Sequence, residues 1–219
     1  MIQIVPAILA TTEEAYKANI EKLWESNFFD RAYVQIDLMD GEFVKGKSIG
    51  PEVVKKYPSS FKFEVHLMVN EPLWWAEQLK DFKIVRYIVP IELPKQIIDD
   101  FISFVRAYTD CEIGFSINPE TEVKDIGEYL SVAEAVVVMA VPPGKQGQEF
   151  IPEVLEKVKE LSSLRQHFGY GFTIGVDGGV SSKNAKLVVD VGADYLVVGS
   201  HLVKGNIDEN LEKFWEVLG

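Results

Sequence analysis

The sequence predicts an α/β protein, and within that class a (β/α)8 TIM barrel. Short β-branched runs alternate with longer stretches of helical period, and strands separated by helices pair in parallel through right-handed crossovers. Eight such units fit into 219 residues, the lower end of the range for a closed eight-stranded barrel. A doubly wound open sheet is the competitor, but it carries a fingerprint glycine loop after its first strand. Here that strand runs through Pro6-Ala7-Ile8-Leu9 with no glycine.

The first strand is read over residues 2–9. Thr12 suits the N-cap of a helix reaching residue 26, with Ala15, Ala18, Leu23 and Trp24 as its apolar positions. The second strand spans 32–38, and a short helix over 51–57 leads to the third strand, 62–67. Pro72 opens a helix over 72–82, where a first-turn proline is tolerated. Strand 84–89, helix 94–108, strand 112–117 and helix 121–130 follow, and a sixth strand spans 135–141. Helix 152–167, strand 173–176, helix 182–191, strand 195–198 and helix 208–218 complete eight units. No linker or low-complexity stretch divides the chain, so residues 1–219 are expected to form one barrel domain.

Composition narrows the function classes. The chain is 47% hydrophobic and 26% charged, enough apolar content for a sizeable core. A formal net charge of -12 makes it a poor general binder of nucleic acid or anionic membrane. An anionic substrate would need a local site of backbone amides or a few cations. The single Cys111 excludes an internal disulfide and a Cys-rich zinc module, which fits a reducing cytoplasm. The apolar start through Leu9 lacks a basic segment and is followed by Glu13 and Glu14, so no signal peptide is expected. The longest apolar runs, such as 135–141, are too short to span a bilayer.

Chemistry in such a barrel collects at the C-terminal ends of the strands. The second strand ends Gln35-Ile36-Asp37-Leu38-Met39-Asp40-Gly41, and Gln35 and Asp37, two apart, share a face. The third ends Glu64-Val65-His66-Leu67-Met68 and the seventh Gly175-Val176-Asp177-Gly178-Gly179. Taken singly, each has a bland explanation. A lone buried His is commonly a hydrogen-bonded core residue, and a strand-end Asp is commonly an N-cap. Together, Asp37, His66 and Asp177 at equivalent ends suit a divalent metal, and two opposed carboxylates suit proton transfer on both faces of a carbon. Coming from strands two and seven, the aspartates are expected well apart around the mouth. Glu64 is expected to face the helical shell. His167 and His201 are read as structural, Cys111 as core, and Trp74-Trp75 as packing between helix and barrel.

A second constellation is rich in glycine: Pro142-Pro143-Gly144-Lys145-Gln146-Gly147-Gln148 after strand six, Gly178-Gly179 after strand seven, and Gly199-Ser200 after strand eight. Small residues let backbone N–H groups approach an anion, and the loops after strands seven and eight are the recurrent phosphate site of this fold. Turn glycines in left-handed conformation are the plain alternative. On the anion reading, Gly179→Val should block the backbone approach.

These segments in this order resemble the ribulose-phosphate 3-epimerase family over nearly the whole chain. The resemblance runs through Pro6–Leu9, Asp37-x-Met39-Asp40-Gly41 with Phe43-Val44, and Val65-His66-Leu67-Met68. It continues through Asn118-Pro119, Pro143-Gly144-x-x-Gly147-Gln148, Val176-Asp177-Gly178-Gly179 and Val198–Ser200. It implies a ribulose-phosphate-binding barrel that epimerises a ketopentose phosphate at C3, interconverting ribulose 5-phosphate and xylulose 5-phosphate in the pentose phosphate pathway. It implies Asp37 and Asp177 as acid and base, and a divalent metal, commonly zinc, held by both with His66. It also implies Met39, Met68 and Met139 around the reacting centre, with Gly144, Gly147, Gln148, Gly178, Gly179, Gly199 and Ser200 holding the substrate and its phosphate. A homo-oligomer is the expected assembly.

Three positions depart from the family pattern. A metal-ligand histidine is Gln35 here, the serine after the first-strand proline is Ala7, and a histidine near the end of strand four is Pro90. Gln offers only a neutral oxygen, a weak ligand for a transition metal. Lys145 and Gln146 also replace an aromatic residue and a glycine; Lys145 is read as solvated. Two alternatives stay open: a related epimerase or isomerase acting on another phosphosugar, and a non-catalytic phosphosugar-binding homologue without the metal.

Overall fold

The computed structural model describes residues 2–29 and 32–219. Among them, eight parallel strands close into one barrel in chain order: β1 (Gln3–Ile8), β2 (Tyr33–Met39), β3 (Lys62–Met68), β4 (Ile84–Pro90), β5 (Glu112–Ile117), β6 (Ala135–Met139), β7 (Thr173–Asp177) and β8 (Tyr195–Val198). β8 closes on β1, with Gln3 opposite Tyr195 and Pro6 opposite Val198. The architecture is the (β/α)8 barrel that the alternation predicts.

The helices begin and end where local chemistry puts them. α1 (Glu13–Glu25) starts at Thr12, whose hydroxyl accepts the Ala15 N–H. α2 (Pro51–Lys56) and α3 (Pro72–Leu79) open on proline, where the missing N–H would have had no partner. α4 spans Lys95–Tyr108, and α5 (Leu155–Phe168) stops at Gly169 in left-handed conformation, φ 69°. α6 (Ala185–Asp190) and a four-residue α7 (Ser200–Val203) precede α8 (Ile207–Leu218), which Asn206 caps. Trp75 is buried against the barrel as expected, whereas Trp74 stands half exposed.

Three local outcomes differ from expectation. The segment Val123–Tyr129 is a 3₁₀ helix. Its buried residues Val123, Ile126 and Tyr129 recur every third position, a period that a 3₁₀ helix aligns and an α-helix does not. β6 ends at Met139 because its partner β7 ends opposite, at Asp177; Ala140 and Val141 lie beyond the strand. α7, directly after β8, has no counterpart among the expected helices.

Inside the barrel, the side chains form a vertical sequence of layers. Val5, Ala7, Ile88, Val137, Met139, Tyr195 and Val197 pack as a cluster separate from the main core between strands and helices. Toward the N-terminal ends of the strands, Arg86 donates to Glu64 (2.9 Å) and to Glu112 (2.8 Å), and its guanidinium lies 5.2 Å and 5.6 Å from the Tyr33 and Tyr195 ring centres. Glu64 is therefore inside the barrel, not against the helical shell. The reason is the two-residue period: Glu64 shares a face with His66, and one cannot point inward without the other. Burial pushes the Glu64 carboxyl up to about 7 despite the Arg86 charge.

Tyr195 occupies the volume that Gly175 vacates. A methyl group on Gly175 would lie 2.3 Å from the Tyr195 ring carbon Cζ. Gly175→Ala is expected to destabilise the fold by roughly 1–3 kcal/mol through overpacking, read from denaturant unfolding. Gly127→Ala, whose added methyl meets nothing within 4 Å, is the control.

Candidate active site

β2 and β3 are neighbours in register, and Asp37 lies directly opposite His66 at their C-terminal ends. Asp177 ends β7. All three side chains are buried, and one ligand atom from each lies within 4.8 Å of the others. The aspartates are thus closer than their strand numbers suggest. Strands two and seven are separated in the wall by β8 and β1, but inward side chains at one height meet across the lumen, and Ala7 on β1 is too short to intervene.

Gln35 lies one inward position below Asp37 and joins the two carboxylates. Its Nε2 donates to Asp37 Oδ1 at 2.8 Å and to Asp177 Oδ2 at 2.7 Å. His66 Nε2 is 3.0 Å from Ser116 Oγ, which fixes the ring and turns Nδ1 toward the carboxylates, 3.7 Å from Asp37 Oδ1 and 4.0 Å from Asp177 Oδ2. Burial and the facing Asp37 carboxylate push Asp177 up to about 7. Burial opposes a charge on His66, but the Asp37 and Asp177 carboxylates outweigh it and hold the imidazole above its ordinary value.

The donor set fits a divalent cation. Two carboxylates and an imidazole are hard and borderline ligands of the kind such ions take, and three protein ligands leave a position open. Among the described residues, His66 Nδ1 is buried without a hydrogen-bond partner and faces both carboxylates. A buried lone pair of this kind is costly unless something is placed on it.

Above the cluster lies a small cavity, partly open to solvent. Asp37, His66, Met68, Met139 and Asp177 form its base. Gly144, Gly147, Gln148, Gly178, Gly179, Gly199 and Ser200 all border it, so the three glycine loops meet at one mouth. Gly144, Gly147, Gly178 and Gly179 have φ of 105°, 75°, 107° and 63°, a region that other residues seldom adopt. Three expectations change here. Met39 does not border the cavity; it packs behind it on Met68 and Val44. The Gln148 amide nitrogen is occupied within its own loop, donating to the Pro142 and Lys145 carbonyls. A side chain at Gly179 would strike the Phe150 backbone at 2.6 Å, so Gly179→Val disturbs the loop itself before any anion is involved.

Several residues at the site were not singled out for it from the sequence. Ser116 holds His66, and its one available signal is a polar residue one position before the end of β5. Lys145 and His201 border the cavity at its exposed rim, although the first reads as simply solvated and the second as structural. Pro90 lies beside Ser116 in the wall and brings no polar side chain.

Comparison with known proteins agrees with this geometry. The sequence profile described as "Ribulose-phosphate 3 epimerase family" matches residues 3–203. The ribulose-phosphate 3-epimerase of Bacillus subtilis is 33% identical, with 91% of each chain covered. That of Methanocaldococcus jannaschii is 32% identical over 91% of this chain and 83% of its own, and that of Treponema pallidum 32% identical over 80% of each. Among solved structures, 3-hexulose-6-phosphate synthase from Salmonella typhimurium superposes with a TM-score of 0.71 over 99% of this chain and 98% of its own, at 15% identity, a likeness of fold.

Proposed function

Because the chain belongs to the ribulose-phosphate 3-epimerase family and is an isomerase-type enzyme, we propose that it epimerises ribulose 5-phosphate and xylulose 5-phosphate at C3, with Asp37 and Asp177 as the acid/base pair. The observation that carries this reading is the convergence of the two carboxylates beneath a glycine-lined mouth. Inversion at carbon requires a proton to leave one face and another to arrive on the opposite face, so two groups must share the work. Asp177, pushed up to about 7, retains a proton near neutrality and serves as the acid. Asp37 then takes the C3 proton as base, and the roles exchange in the reverse direction. Gln35 holds each carboxylate by one oxygen and leaves the other oxygen of each free of its amide. Met68 and Met139 line the base of the cavity with apolar surface and keep water from the exposed carbanionic centre.

Asp37, His66 and Asp177 would hold a divalent cation, zinc being the ion that the family resemblance implies. When bound, the cation supplies electrostatic stabilisation to negative charge developing on the sugar oxygens. One imidazole fewer weakens retention, so native protein is expected to lose zinc to chelator dialysis and Gln35→His to keep it, read by elemental analysis. Stoichiometric zinc surviving dialysis equally in both would contradict this.

The backbone N–H groups of the glycine loops would take the phosphate, which explains how so acidic a chain accepts a dianion. Gly199 allows a clean test. Its added Cβ would have only ordinary neighbours, the nearest at 3.9 Å, so a side chain there meets no clash at its first carbon. Gly199→Val is expected to raise KM for the phosphosugar about tenfold or more, the equivalent of losing one hydrogen bond to a charged group. An unchanged KM in folded variant would remove the phosphate assignment. The reaction itself is tested by following ribulose 5-phosphate in deuterated solvent. Deuterium at C3 of recovered xylulose 5-phosphate is expected, and no turnover of either ketose phosphate would overturn the proposal.

A further inference from the structure

Gln35 is fully buried at the floor of the site, and both N–H bonds of its amide are committed. One goes to Asp37 Oδ1 at 2.8 Å and the other to Asp177 Oδ2 at 2.7 Å. These are the same two oxygens that face His66 Nδ1, at 3.7 and 4.0 Å. They are therefore the carboxylate oxygens that face the imidazole nitrogen with which they would share a cation. Two carboxylates this close in a buried pocket repel each other. A donor shared between them offsets that repulsion, and hydrogen bonds to charged acceptors are the strong ones. The opposite end of the amide, Oε1, is left buried without a partner among the described residues. The amide thus faces the carboxylates with its nitrogen at the expense of its oxygen.

We infer that Gln35 is a positioning residue whose amide nitrogen clamps Asp37 and Asp177 together as a neutral bridge and competes with a divalent cation for the same carboxylate oxygens. The clamp rests on the reading of Asp37 and Asp177 as the acid/base pair for its purpose, but not for its detection. A neutral amide nitrogen, its lone pair delocalised into the carbonyl, is no ligand for an ion, so a cation drawing on the same oxygens competes with the N–H bonds made to them. The chain consequently keeps its carboxylate pair aligned without a cation, and binds one less tightly than the carboxylates and imidazole alone would.

The test is zinc binding by protein stripped with chelator, measured in competition with a chromophoric chelator. Gln35→Met keeps the length of the side chain and removes both donors. Zinc is expected to bind this variant about a hundredfold more tightly than native protein or better, the order set by two charged hydrogen bonds that no longer have to be broken. Unchanged binding would make the amide a bystander, weaker binding would make it a ligand through Oε1, and either overturns the clamp. A second measurement uses native protein alone and does not depend on the variant folding. With selectively labelled glutamine, the Gln35 side-chain N–H pair is expected to be protected from exchange in stripped protein and to lose that protection when zinc is added. Resonances that ignore zinc would also overturn the proposal. Neither readout uses turnover, so an inactive native protein would sink the epimerase reading while leaving the clamp to be decided on its own.

Discussion

Asp177→Asn and Asp37→Asn each lower kcat for C3 epimerisation by roughly 10²–10⁴-fold, the contribution expected of a positioned acid or base. The amide has the shape of the carboxyl it replaces, so the barrel and its mouth are kept and only proton transfer is lost. Both substitutions give the same deficit because inversion needs both faces served in every turnover. Native enzyme incorporates solvent deuterium at C3 and neither variant does so at a comparable rate. Full activity in either variant would eliminate the two-carboxylate mechanism. The proton inventory adds a pH signature in chelator-treated enzyme. Asp177 is raised to about 7 by burial and the facing Asp37, so its proton is present below that value and is lost as pH rises through it. kcat/KM should therefore fall on the alkaline side of about pH 7.

Arg86→Leu is the substitution expected to cost the fold most, roughly 3–5 kcal/mol, because it leaves a buried charge without its partner. Arg86 donates to Glu64 at 2.9 Å and to Glu112 at 2.8 Å, and Glu64 has no exposed surface on which to find water instead. Its aromatic neighbours Tyr33 and Tyr195 lose a stacked guanidinium as well. Urea unfolding measures the loss, and Glu64→Gln in the same background should recover part of it by removing the stranded charge. The pH dependence has a definite sign. A carboxyl raised from its ordinary 4.5 to about 7 in the folded state contributes stability that is complete below 4.5 and is lost as pH rises through 7. Without Arg86 the folded-state value climbs further, so the variant's deficit should narrow between pH 8 and pH 5. A deficit independent of pH, or no recovery in the double variant, would show that packing rather than charge is at stake.

Much of the site could be read from the chain. Asp37, His66 and Asp177 stand at strand ends that periodicity locates, and the glycine loops follow the three strands whose ends form one side of the mouth. What failed did so for identifiable reasons. Glu64 reads as facing the helical shell although it sits two residues from His66, because a buried charge looks implausible until Arg86, twenty-two positions away, supplies the partner. Ser116 is not legible as a site residue because nothing near it in sequence tells of the imidazole on β3. Gln148 reads as a substrate contact, yet its donors are used at home on Pro142 and Lys145. Met39 has the right face but is screened from the cavity by the loop that follows it.

By itself the sequence determined the class of structure and the inventory of its chemistry. Alternating runs, proline and threonine at helix starts and glycine at turns act over a few residues, where local sterics and hydrogen bonding suffice. The tertiary structure alone decided how those groups meet. Gln35 reaches an aspartate 142 positions away because closure of the barrel sets which inward side chains share a height. The register of eight strands, not any local preference, makes an amide the bridge between two carboxylates. That relation is a property of the closed ring, since a shift of one strand by one residue would turn Gln35 or Asp177 to the other face of the wall.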